Sequence, residues 1–165
     1  MENNMGRFFK LLVLIFTIII MDQVTKAIVQ QRFSLGESII VLENFFNFTY
    51  VRNSGAAWGM FADATDWIRI PLFFILPVFA CFWLVYLVWT TRRENLLLST
   101  AFSFILAGAI GNLIDRFTMN YVVDFLDFYW GTYHFPAFNI ADSSITIGAI
   151  LLIYDNLFLQ NKVKE

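Results

Sequence analysis

Four stretches of the chain are apolar and long, and the polar residues between them gather toward one side. The apolar runs cover about residues 8–29, 68–89, 96–116 and 140–159. A helix needs roughly 20 such residues to cross a bilayer core. The pattern therefore predicts a mainly α membrane protein, a four-transmembrane-helix bundle built as one integral-membrane domain over residues 1–165. Between the first two runs, residues 33–67 change character. Gly36 breaks the helical run, Ile39–Leu42 and Phe45–Val51 are rich in β-branched and aromatic residues, and Asn53-Ser54-Gly55 is a turn signal before Ala56. A small extracytoplasmic β-sheet between helices 1 and 2 is expected, lying on the membrane. Phe45, Phe46, Phe48, Tyr50 and Trp58 suit the headgroup layer. Residues 117–139 read as an aromatic external loop.

The first run could be taken for a secretory signal. Its apolar part is long, it holds Asp22 and Lys26, and no small-residue cleavage site follows, so a retained span is expected. Asp22 and Lys26 share a helical face with the acid first, the favourable order. They either neutralise each other near the interface, with Lys26 snorkelling, or brace a polar site inside the bundle. The second run has Pro71 at its start, Pro77 inside it where a kink is expected, and Trp67 and Trp89 as interfacial brackets. Phe73, Phe74 and Phe79 are expected to face lipid or pack. In the third run Ser99, Ser103, Ala107 and Gly111 make a small-residue ridge for close helix packing, while Gly108, Asn112, Asp115 and Arg116 fall on another face. Asp115 reads as paired with the adjacent Arg116. The fourth run opens with Asp142, Ser143 and Ser144.

Composition reinforces the class. Of 165 residues, 59% are hydrophobic, against about 45–50% in soluble domains. A net charge of -2 with no basic stripe argues against a nucleic-acid partner. Cys81 is the only cysteine and lies in an apolar run, which excludes an intrachain disulfide or a cysteine-rich metal site. Arg7, Lys10, Arg92, Arg93, Lys162 and Lys164 occupy the tails and the middle turn. The positive-inside rule then puts both termini in the cytoplasm.

With four spans, Asp22, Lys26, Asp115, Arg116, Asp124 and Asp142 all fall toward one membrane face, which the charge rule makes extracytoplasmic. Ionisable groups at membrane depth are costly unless paired or wet, and they mark function. Two adjacent carboxylates share a proton, so one can activate a water while the other polarises a carbonyl. Asp124, in Val122-Val123-Asp124-Phe125, and Asp142, in Ile140-Ala141-Asp142, sit in apolar settings and are the candidate pair. The plainer alternative is that such carboxylates cap helix starts at a wet interface.

The residues Asp22-Gln23-x-x-Lys26, Asn53-x-Gly55-Ala56-Ala57-Trp58, Gly108-x-x-Gly111-Asn112-x-x-Asp115-Arg116, Val122-Val123-Asp124-Phe125 and Phe138-Asn139-x-Ala141-Asp142-Ser143 occur in this order. Together they resemble the bacterial lipoprotein signal peptidases, signal peptidase II. The family commonly has Phe at the position of Trp58 and often Gly at that of Ala107, departures that bear on fit. The resemblance implies a membrane-embedded aspartyl endopeptidase of the bacterial inner membrane. It would remove the signal peptide from diacylglyceryl-modified prolipoproteins just before the lipid-bearing cysteine. By the same resemblance Asp124 and Asp142 are catalytic. Asn53, Gly55, Gly108, Asn112, Arg116, Asn139 and Ala141 line or support the site, and Asp22, Lys26 and Asp115 are structural polar residues. No metal or cofactor is implied; prolipoproteins and membrane lipids are the expected partners of a monomer.

Other chemistries fit less well. A Ser143–Lys26 protease needs a neutral lysine, which Asp22 opposes. A Ser–His–Asp arrangement would use His134, placed in a flexible, solvated loop, and a zinc site lacks ligands. A proton- or ion-coupled transporter should carry ionisable residues through the full thickness, yet Asp155 is the main one in the cytoplasmic halves. A non-catalytic lipid-binding or assembly factor could use the same cavity.

Overall fold

The structure, a computed structural model, describes residues 4–55, 60, 61 and 63–159. Ala56, Ala57 and Trp58 of the second motif, and Lys162 and Lys164, lie outside the described residues. Among the described residues, four helices are long and apolar enough to span a membrane. They are α1 (Asn4–Arg32), α2 (Asp66–Thr91), α3 (Leu96–Met119) and α4 (Ile140–Leu159).

α3 is the central element and packs on the other three. Half of its apolar window is buried, against 11% for α2, which is therefore largely a lipid-facing wall. The small-residue ridge explains α3's position, because Ser99, Ser103, Ala107 and Gly111 are all buried. At Gly108 an added Cβ would collide with the Ala141 carbonyl oxygen, so α3 and α4 approach backbone to backbone. At Gly148 it would come within 2.7 Å of the Ala101 carbonyl. In α2 the irregularity expected at Pro77 falls just before it. Pro71–Ile75 forms a π-type turn in which Leu76 N–H bonds Pro71 O. Proline cannot donate and its ring crowds the carbonyl four residues back, so the helix widens there.

The sheet is four-stranded and antiparallel in the order β1-β2-β3-β4. β1 (Ser38–Leu42) and β2 (Phe46–Asn53) follow α1 as expected. β3 (Val122–Trp130) and β4 (Tyr133–His134) come from the segment read as a loop. Val122 to Phe125 are all buried, so this strand lacks the apolar–polar alternation that marks a half-buried one. Asn120 ends α3 in the left-handed conformation (φ 64°) and turns the chain directly into β3. Val29, Tyr50, Val123 and Phe125 form a core beneath the sheet. Tyr50 packs into this core and is 3% exposed. At the other end Arg7 Nη1 donates to Arg93 O at 3.4 Å, which ties the first turn of α1 to the α2–α3 turn.

Candidate active site

The polar residues of the first motif build a buried support. Lys26 Nζ lies 2.8 Å from Asp22 Oδ2 and 3.0 Å from Asp115 Oδ2, and donates to Asn112 Oδ1 at 3.0 Å. An ammonium has three donors, and all three are used. Lys26 is 2% exposed, so it braces the bundle and does not snorkel. The expected pairing of Asp115 with Arg116 is corrected, since consecutive helical residues point in different directions. Asp115 faces Lys26 and Gln23 Nε2, the latter at 3.0 Å, while Arg116 turns toward the cavity and donates to Gly55 O at 3.5 Å.

Each carboxylate of the support also holds a strand or helix in place. Asp22 Oδ1 accepts Ala141 N at 2.9 Å, fixing the first turn of α4. Asp115 Oδ2 accepts Val123 N at 3.1 Å, fixing the start of β3. The residues after these two anchored amides are Asp142 and Asp124. Ala141 is fully buried, and Gly111 leaves the room that Asp22 occupies: a Cβ there would lie 2.7 Å from Asp22 Oδ2.

Asn139 joins the two carboxylates. Its Nδ2 donates to Asp124 Oδ1 at 2.7 Å, and its backbone N–H donates to Asp142 Oδ2 at 3.2 Å. Its Oδ1 accepts Asp142 N at 2.9 Å, completing a capping box at the start of α4. Asp142 does cap a helix, then, and its Oδ1 also accepts Asn112 Nδ2 at 2.8 Å. Asp124 Oδ2 accepts Asn53 Nδ2 at 3.0 Å, and Asn53 Oδ1 accepts Gly55 N at 3.0 Å in a side-chain turn. Burial pushes the Asp124 carboxyl up from 3.8 to about 7; the charge of Asp142 adds to the rise, and the amides of Asn53 and Asn139 oppose it.

Both carboxylates line one cavity of about 600 Å³, with Asn53, Gly55, Asn112 and Arg116. Its apolar wall includes Val122, Phe135, Phe138, Ile145 and Ile147. Gly108 is not in the lining; it acts by letting α4 come close. Ser143 lines the cavity, but its hydroxyl donates to Asn139 O at 2.9 Å, and Lys26 is held by two carboxylates, so neither is poised as nucleophile or base. His134 is exposed, as expected, but it sits on the short strand β4 and not in a loop. Its Nδ1 lies 2.8 Å from Asp127 Oδ1 and its ring stacks on Tyr129. Asp127, which also accepts Thr49 Oγ1 at 3.0 Å, was not singled out in the sequence. Its only signal there is its place two residues past Phe125 on an unrecognised strand. Asp155 is buried and accepts Asn95 Nδ2 at 2.7 Å, an anchor between α3 and α4.

The family model described as Signal peptidase (SPase) II matches residues 14–158, nearly the whole of this architecture. The chain belongs to the signal peptidase II family. It is 46% identical over 155 residues to the lipoprotein signal peptidase of Desulforapulum autotrophicum, covering 93% of this chain and 94% of that protein. The lipoprotein signal peptidase of Shewanella sediminis is 45% identical over 161 residues, 96% of this chain and 88% of its own length. Among solved structures, a bacterial membrane enzyme determined by the in meso method at 1.9 Å resolution superposes with a TM-score of 0.78 and 39% identity. That match covers 91% of this chain and 94% of the other. The signal peptidase II match spans all four helices and all four strands, the frame that carries both carboxylates.

Proposed function

We propose that this protein is a membrane-embedded aspartyl endopeptidase that removes the signal peptide from diacylglyceryl-modified prolipoproteins, cutting before the lipidated cysteine. The observation that carries the proposal is that Asn139 bonds both Asp124 and Asp142, at the polar end of a cavity with apolar walls. The names of the relatives supply the substrate class.

In this mechanism Asp124, raised to about 7, holds the shared proton near neutrality, and Asp142 is the ionised partner. Asp142 takes a proton from a water molecule as the water oxygen attacks the scissile carbonyl carbon. Asp124 gives its proton to the carbonyl oxygen, yielding a neutral tetrahedral diol. Asp142 then passes its proton to the leaving nitrogen, the C–N bond breaks, and Asp124 recovers a proton from the diol. Asn53 and Asn139 hold Asp124, while Asn112 and the Asn139 backbone hold Asp142. Arg116, lining the cavity, offers donors to a substrate carbonyl. One copy supplies both carboxylates, so a monomer suffices.

The cavity and sheet face the extracytoplasmic side in this reading, with the termini in the cytoplasm. Support comes from Arg7 and Arg93, which meet at the end of the bundle remote from the sheet. The signal helix then lies among the spans and the substrate's acyl chains in the outer leaflet. The test is cleavage of a lipidated precursor by purified protein. Asp124→Asn and Asp142→Asn variants that still fold should leave the precursor uncut. Cleavage surviving either substitution refutes the mechanism, and a wild-type protein that binds precursor without cutting it supports a lipid-binding factor instead.

A further inference from the structure

The sheet carries a second polar cluster on the face away from the cavity. Side chains alternate along β2, and Arg52 pairs with Val123 while Asn53 pairs with Val122, so Arg52 lies opposite to Asn53 and Asp124. Arg52 Nε donates to the Tyr50 hydroxyl at 3.0 Å. Its guanidinium carbon lies 4.8 Å from the centre of the Tyr121 ring and 5.6 Å from that of Tyr50. Tyr50 is buried and Arg52 is exposed, so a fixed platform presents a wet cation.

Two spanning helices end at this platform. Tyr121 follows two residues after the end of α3 at Met119, and Met119 Sδ accepts Gln30 Nε2 from the last turns of α1 at 3.1 Å. The cluster therefore sits where helices leave the hydrocarbon, at the depth of headgroups; Ile28 and Phe117, in the last turns of the same two helices, are exposed apolar residues. Among the described residues no carboxylate pairs with Arg52. Glu37, whose carbonyl accepts Tyr50 N, turns its own carboxylate to Ser34 N at 2.7 Å. A guanidinium has five N–H donors in a planar fork, and Tyr50 takes only the Nε one. The two Nη groups match two oxygens of a phosphodiester, and the ring contacts hold the fork in place without neutralising it.

We propose that Arg52, braced by Tyr50 and Tyr121, binds the phosphate of a phospholipid in the leaflet on the sheet's side. The site is separate from the cavity and does not depend on the catalytic reading. Bound lipid there would set the sheet's height over the membrane.

The full chain, purified in a maltoside detergent that has no phosphate, is loaded with phosphatidylglycerol or with diacylglycerol of the same chains. Retained lipid per protein is counted by native mass spectrometry. Wild type should retain phosphatidylglycerol and not diacylglycerol, and Arg52→Gln should lower retention by about fivefold at an unchanged unfolding midpoint. Equal retention by Arg52→Gln and wild type, or equal retention of diacylglycerol, overturns the proposal. Displacement of the lipid by millimolar inorganic phosphate also overturns it, by making the site one for a free anion. If Arg52→Gln does not fold, Arg52→Lys takes its place, because an ammonium keeps the charge without the fork or the ring stack. Reduced retention is then expected, and retention equal to wild type overturns the assignment.

Discussion

Replacing Lys26 by Met removes the one cation from a buried cluster and leaves its carboxylates without it. Lys26 sits between Asp22 at 2.8 Å and Asp115 at 3.0 Å, with Asn112 as third partner, and all these groups are buried. With the ammonium present, the three charged groups sum to one negative charge; without it, two carboxylates face each other away from water. Breaking a buried ion pair from one side costs about 3–5 kcal/mol, and here two pairs break at once. Lys26→Met should therefore lose at least that much unfolding free energy, read by denaturant titration in mild-detergent micelles. Asp22→Asn added to Lys26→Met removes one stranded charge and should recover part of the loss, while keeping an oxygen for Ala141 N. Precursor cleavage should fall together with stability, because Asp22 and Asp115 anchor Ala141 and Val123, one residue before the two catalytic candidates. A loss below about 1 kcal/mol, or no recovery in the double variant, would show that the cluster is not what holds the site together.

Further expectations concern pH, packing and reagents. With Asp124 at about 7 and needed protonated, kcat/KM should fall as pH rises through that value; a pH–rate profile flat to pH 9 would refute Asp124 as the proton holder. Stability has the same sign. A carboxyl raised from 3.8 to about 7 binds more protons folded than unfolded between those values, so this group's contribution weakens as pH rises across that window. Gly108→Ala puts a methyl group against the Ala141 carbonyl and should cost about 1–3 kcal/mol by thermal unfolding, because a backbone atom cannot swing aside. Chelators and serine- or cysteine-directed reagents should leave cleavage intact, and inhibition by a chelator would contradict a two-carboxylate mechanism.

The four spans were legible because each is long and apolar, and the ridge through Ser99, Ser103, Ala107 and Gly111 marked a face for close helix packing, which the structure buries. Convergence of the polar residues on one face followed from counting spans. What periodicity could not supply was β3. Its buried run Val122–Phe125 has no alternating pattern, and its place in the sheet depends on pairing with β2, far away in the chain. Reading that segment as a loop also hid Asp127 and its contact with the exposed His134 on β4. The misassigned partner of Asp115 is a similar failure: adjacency in sequence suggested Arg116, whereas the true partner, Lys26, is on another helix. Motifs picked out the candidate residues, and long-range contacts decided which group faces which.

The most direct test of the account is a comparison of single-turnover cleavage rates for Asp124→Asn, Asp142→Asn and the double variant. If the two carboxylates act as one unit on one water, each single substitution should lower the rate by about 10³-fold or more, and the double variant should be no slower than the singles. Losses that multiply in the double variant, or a single variant keeping a substantial fraction of the wild-type rate, would contradict it.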